Sequence, residues 1–202
     1  TYVDIISTIA TGYYEKGKVE FGPYFTTLSF NPVEGARFRG GGRTSNSFST
    51  WVEFEGYSAY GLLDERFKFG LATRGFISKA PRLLYRDSYK HDIEQLGQST
   101  NAFRNDNLLG SLFRRNPNTK LTDVEQWKGS LEREWFSGFT TEVMARYRTL
   151  QALGDLRYQR LSFEPMPKVA NVGSIRTAEV SLNSRFAYAE KYVSGEFDRL
   201  AV

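Results

Sequence analysis

The sequence predicts an all-β fold: an antiparallel up-and-down sheet of about eight to ten strands that forms part of a transmembrane β-barrel. Three observations predict it. Polar and apolar residues alternate through most of the chain, which is the period of a strand. Many alternating runs outlast the roughly 5 to 6 residues of a typical soluble strand. Aromatic residues recur near the ends of runs, at Tyr57 and Tyr60, at Trp127, Trp135 and Phe136, and at Tyr188 and Tyr192, where girdles mark the two bilayer interfaces. Alternation alone also fits a soluble antiparallel sheet with its apolar face on a core. A soluble β-rich binding module with a basic groove is therefore the alternative reading.

Composition narrows the classes. The 202 residues include 16 Phe, 12 Tyr and 18 Gly, a balance that favours strands and turns. The absence of cysteine excludes disulfides, thiolate metal sites and a thiol nucleophile. The 27 basic and 23 acidic residues are spread along the chain. No basic run marks a nucleic-acid arm, so nucleic acid is not an expected partner. No stretch approaches the roughly 18 to 20 apolar residues of a membrane-spanning helix, but a barrel strand needs only about 9 to 11. The chain opens without methionine or a charged-then-apolar leader, so it is expected to be a mature protein or a piece of a longer one.

In chain order, Thr1 to Tyr14 reads as a strand or lead-in, Glu15 to Gly22 as a turn, and Pro23 to Phe30 as a strand ended by Asn31-Pro32. Two alternating runs then flank the polar Ser45-Asn46-Ser47, the pattern of a hairpin. Ala36, Phe38, Gly40 and Gly42 share one face with Val52, Phe54, Gly56, Ser58 and Tyr60. Arg37, Arg39, Gly41 and Arg43 share the other with Trp51, Glu53, Glu55 and Tyr57. A turn centred near Asn46 to Phe48 sets Arg39 opposite Glu55. The next run, Arg66 to Ile77, adds Lys68 and Arg74 to the charged face. Arg37, Arg39, Arg43, Glu53, Glu55, Lys68 and Arg74 thus form a predicted charge ladder, which in a barrel lines the lumen and neutralises itself by cross-strand pairing.

After a turn at Ser78 to Pro81, Arg82 to Glu94 sets Leu83, Tyr85, Tyr89 and Ile93 against Arg82, Arg86, Ser88, Lys90 and Asp92, with Asp87 and His91 interrupting the apolar row. Gln95 to Lys120 breaks the rhythm. It reads as a long loop with a short helix at Asp106 to Arg115, and its roughly 25 residues far exceed an ordinary hairpin connection. Strands return at Leu121 to Trp135, whose facing is ambiguous, and at Phe139 to Leu150. A short strand at Arg157 to Phe163 precedes a loop at Glu164 to Gly173, and the last clear strand is Ile175 to Tyr188. Residues 1–202 read as a single β-barrel region.

No chemistry-bearing constellation emerges. His91 shares a face with Asp87 while Asp92 points away, so a hydrolase embedded in the barrel would have to draw its other catalytic groups from distant strands. An interfacial histidine is the expected role. Asp64, Glu65, Asp92, Glu94 and Asp106 lack the spacing of a calcium loop. Gly40-Gly41-Gly42 is followed by neither Lys-Ser/Thr nor a helix start, so close strand approach is expected there rather than phosphate binding. No catalytic residue, metal or cofactor is expected, and the chain is not expected to be an enzyme.

Six stretches carry a resemblance to a known family: FGPYFTTLSFNPVEGARFRGGGRT at Phe21 to Thr44, GYSAYGLLDERFKFGL at Gly56 to Leu71, YKHDIEQLG at Tyr89 to Gly97, NLLGSLFRRNPNTKLT at Asn107 to Thr122, EREWFSGF at Glu132 to Phe139 and RFAYAEKYVSGEFDR at Arg185 to Arg199. In order and across nearly the whole chain, they resemble a Bacteroidota outer-membrane family. In that family a carboxypeptidase-regulatory-like domain precedes a C-terminal β-barrel domain of unknown function. The resemblance implies a non-enzymatic outer-membrane component in envelope assembly, transport or protein-protein contact. Its implied partners are the outer-membrane lipid bilayer and other outer-membrane proteins. The regulatory-like domain and a terminal aromatic are missing here, so the chain is expected to be a fragment of a larger barrel.

Overall fold

A computed structural model of the chain describes residues 11–95, 121–162, 168–188, 192–194 and 199–201. The strands are β1 (Tyr14–Lys16), β2 (Val19–Phe21), β3 (Leu28–Asn31), β4 (Gly35–Thr44), β5 (Val52–Gly61), β6 (Phe67–Lys79), β7 (Arg82–Gln95), β8 (Leu121–Phe136), β9 (Phe139–Ala152), β10 (Tyr158–Ser162), β11 (Lys168–Val172), β12 (Ser174–Phe186), β13 (Tyr192–Ser194) and β14 (Arg199–Ala201). Ten of them form one antiparallel sheet in the order β1-β2-β4-β5-β6-β7-β8-β9-β12, with β3 also on β4. This is the up-and-down order expected. The β10–β11 and β13–β14 pairs stand apart as two-stranded sheets. Among the described residues the large sheet is open, with β12 at one edge.

Strands β6 to β9 and β12 have 13, 14, 16, 14 and 13 residues, well beyond the soluble mode. They join differently at their two ends. At one end the connections are tight: Ala80-Pro81 joins β6 to β7, and Ser137-Gly138 joins β8 to β9. Gly138 takes φ 88°, and a β-carbon there would lie 2.1 Å from the Ala187 carbonyl oxygen. Only glycine fits. At the other end, long connections at 96–120 and 153–173 join β7 to β8 and β9 to β12.

The sheet curls toward its charged face. Strands lie about 4.8 Å apart, so β4 and β7, three places apart, would be separated by about 14 Å on a flat sheet. Yet Arg37 on β4 reaches the Asp92 carboxylate on β7 at 2.9 Å. A β-carbon on Gly154, beyond β9, would lie 4.0 Å from Val33 in the β3–β4 turn. The charged face is therefore the inner, concave one.

Burial follows that curvature and inverts the pattern of a soluble sheet. On the inner face Arg37, Glu53 and Asp92 are buried, and Lys68 is 2% exposed. On the outer face Phe38, Phe54, Leu71, Leu131, Val143 and Leu182 are exposed, and Val180 reaches 78%. Among the described residues, apolar cores are confined to two small inner clusters, Phe76 with Leu84, and Val124 with Leu150 and Tyr158. The second is a cap. Tyr158 of β10 packs on inner-face residues of β8 and β9 and shares a 2.6 Å hydrogen bond with Thr122, so the β10–β11 hairpin covers the inner face at the long-connection end.

Several expectations are corrected. The β4–β5 loop is longer than a tight turn: the Phe48 amide donates to the Ser45 carbonyl at 2.9 Å, and Ser49 Oγ accepts from the Trp51 and Val52 amides. The pairing slides by four residues, so Arg39 lies opposite Ala59 and Arg43 opposite Glu55. An even shift leaves every side chain on its expected face. The expected strand at Pro23 to Phe30 begins with a 3-10 turn at Tyr24–Thr26, where Thr26 Oγ1 bonds the Pro23 carbonyl at 2.9 Å. The expected turn at Glu15 to Gly22 contains the β1–β2 hairpin, and the expected loop at Glu164 to Gly173 contains β11. Tyr57 faces inward rather than joining a girdle. The expected long loop at 95–120 and the short helix expected within it lie outside the described residues apart from Gln95, which ends β7.

Candidate functional site

The inner face is a lattice of ion pairs that links strands distant in sequence. Asn31 starts it. Its Oδ1 accepts from the Val33 and Glu34 amides at 3.1 and 2.8 Å, folding the β3–β4 turn so that the fully buried Glu34 points inward. Asn31 Nδ2 donates to the Glu34 carboxylate at 2.6 Å. Glu34 then pairs with Arg37 at 3.3 Å and Lys68 at 2.8 Å, and Lys68 also binds Asp64. Arg37 and the Tyr57 hydroxyl converge on Asp92, at 2.9 and 2.6 Å. Three carboxylates thus meet two cations and a phenol, with Glu34, Arg37, Lys68 and Asp92 buried and Asp64 and Tyr57 partly so.

Toward the tight-turn end the same face continues. Arg39 stacks over the Tyr57 ring, 3.8 Å from its centroid. Arg43 binds Glu20 of β2 at 2.6 Å, and Arg74 grips Glu53 through two bonds of 2.9 and 3.0 Å. Beyond β6, Arg86 bridges Glu132 and Glu142 at 2.9 and 3.5 Å, and Arg146 binds Glu179.

The structure gathers the seven ladder residues onto this one face. Four of them pair with groups outside the predicted set. Glu34, Asp64 and Glu20 lie in turns or in a three-residue strand, where alternation is too short to be read. Asp92 was legible as an inward residue of its strand, whereas its Arg37 partner three strands away requires the curl.

The glycines permit the close packing. A β-carbon on Gly41 would sit 2.8 Å from both the Gly56 carbonyl oxygen and Tyr57 Cβ, and one on Gly70 would sit 2.3 Å from the Tyr57 ring. The triple glycine is thus a place of close strand approach, as its sequence context indicates.

A cavity of about 270 Å³ opens at the long-connection rim, lined by Val33, Arg66, Phe67, His91, Asp123 and Leu153 among others. His91 Nε2 lies 2.8 Å from Asp123, and Arg66 lies 3.9 Å from it. Among the described residues that line the cavity there is no serine, threonine or cysteine, and its Lys68 and Asp64 are paired with each other. Among the described residues no cluster of three His, Cys, Asp or Glu side chains could hold a metal. What the inner face does chemically is neutralise charge: the buried Glu34, Arg37, Glu53, Lys68, Arg82 and Asp92 each meet a counter-ion, which is the condition for burying them at all.

Residues 4–171 match the C-terminal domain of a family of unknown function, DUF5686. No curated protein and no solved structure matches the chain. The match spans β1 through most of β11, taking in the curled sheet and its capping hairpin up to the strand before β12. The chain belongs to the family of unknown function DUF5686, of which it carries the C-terminal domain.

Proposed function

We propose that this chain forms part of the wall of an outer-membrane β-barrel, with its apolar face to lipid and its ion-pair lattice toward the interior. The observation that carries the reading is the inversion of burial, with Lys68 2% and Val180 78% exposed on opposite faces. In water that arrangement exposes apolar surface and desolvates charge, both at a cost. In a bilayer the outer face meets hydrocarbon and the inner one pairs its charges. Strand lengths of 13 to 16 residues suit a tilted span with some to spare. Tight turns at one end and long connections at the other match the periplasmic and external ends of such barrels.

The family resemblance extends the reading to a Bacteroidota outer-membrane protein whose barrel follows a carboxypeptidase-regulatory-like domain. Its role is non-enzymatic. Of envelope assembly, transport and protein-protein contact, the partly covered inner face favours assembly and contact over permeation, because the β10–β11 hairpin and the Arg37–Asp92 network occupy part of the long-connection end.

Tryptophan fluorescence in vesicles tests the reading. With Trp51 and Trp135 replaced by Phe, Trp127 on the outer face reports alone. Lipids brominated along their chains should quench it strongly, and β-structure should form only when lipid is present. Full β-structure in plain buffer with no quenching in vesicles would replace the barrel with the soluble binding module.

A further inference from the structure

One row of the outer face departs from a lipid-facing surface. Following the strand pairing across the sheet, Phe54, Thr73, Asp87, Gly129, Ala145 and Val180 lie side by side. The row above them is Leu71, Tyr89, Trp127 and Tyr147, and the row below is Gly75, Tyr85, Leu131 and Val143. Small residues at the centre, between two large-residue rows, make a shallow trough across β6 to β9. At its base is a carboxylate. Asp87 makes no hydrogen bond or ion pair among the described residues, and neither does the buried hydroxyl of its cross-strand neighbour Thr73. Gly129 opposite has no side chain to set against the half-buried acid, and the Trp127 ring leans over the glycine, 3.0 Å from where a β-carbon would stand.

We propose that this trough is a docking site for a second, different membrane-embedded protein, which inserts an Arg or Lys side chain onto Asp87. The inference rests on the barrel-wall reading. An ionisable side chain facing hydrocarbon is costly and marks a functional contact. The trough lies at mid-height on the strands, between the Phe136, Phe139 and Phe186 cluster at one end and the polar His91, Asp123 and Glu125 at the other. A lipid headgroup amine does not reach that depth, whereas a long basic side chain from a neighbouring protein does. A twofold pairing of this chain with itself centred on the trough would set Asp87 against Asp87, so charge complementarity there selects a different partner.

The test places a photo-crosslinking residue at Thr73, Ala145 or Leu182 in the full protein in native membranes. The expected result is one discrete protein adduct from positions 73 and 145, and lipid adducts alone from position 182. Asp87→Lys should cut the protein adduct by roughly tenfold or more, Asp87→Asn should weaken it, and Asp87→Glu should retain it. Protease resistance and crosslinking at 182 certify that each variant is folded. Lipid adducts from all three positions would overturn the docking site and leave the wall intact. An adduct insensitive to Asp87→Lys, or one joining two copies of this chain, would also overturn it. Absence of lipid adducts at 182 would instead overturn the wall reading, and the docking site with it.

Discussion

Asp92 is the residue on which the inner face turns, because it receives both Arg37 and the Tyr57 hydroxyl. Removing one member of a buried pair leaves the other charge uncompensated, which costs about 3–5 kcal/mol. Asp92→Ala should therefore lower stability by that order in chemical denaturation of the folded protein. Glu179→Ala is the contrast: its side chain is 41% exposed, and its loss should leave the denaturation midpoint where it was. At this scale the sequence placed the charged residues on one face and the expected pairing within the ladder holds for Arg74 with Glu53, whereas Arg39 is not opposite Glu55 and Arg37, Arg43 and Lys68 take partners outside the set. Pairing depends on loop length and curl, and neither is encoded in alternation. The seven-residue loop at 45–51 moved Arg39 away from Glu55 without turning a single side chain over.

The strands themselves were the most legible elements. The β6 region alternates as Phe67, Phe69 and Leu71 against Lys68, Gly70 and Ala72, and the structure keeps that order until the bulge between Phe76 and Ser78. Leu121 to Trp135 was ambiguous because Asp123, Glu125 and Arg133 share the row of Trp127 and Leu131. They prove to be outer residues near the rims, where an apolar row gives way to water-facing groups. Short elements escaped: β1, β2 and β11 have three to five residues, too few for a period to emerge. Glycines inside the strands carry a testable asymmetry. Gly70→Ala drives a methyl into the Tyr57 ring and should cost about 1–3 kcal/mol, since Tyr57 must leave Asp92 to make room. Gly40 faces outward with open space around its α-carbon, so Gly40→Ala should be neutral or slightly stabilising in the same assay. In the capping hairpin, Tyr158→Phe removes the hydrogen bond to Thr122 and should cost about 1 kcal/mol.

For the whole molecule, the two faces make opposite demands on solvent. Val180→Arg near the middle of the outer band should destabilise the inserted state by about 2–4 kcal/mol, read as reduced folding into vesicles. On a soluble sheet the same change at so exposed a position would be harmless. Among the described residues β12 is an edge strand, and a long edge with apolar side chains invites further pairing. The most direct measurement uses the absence of cysteine in this chain. Single cysteines replace Phe38, Phe54, Phe69 and Val180 on the outer face, then Arg39, Glu55, Lys68 and Glu179 on the inner, and each is probed in membranes with lipid-confined and water-soluble reagents. The account predicts that the first four react only with the lipid-confined reagent and that none of the second four does. Shielding of the first four from both reagents, with free aqueous labelling of the second four, would make the apolar face a dry protein core and contradict the barrel.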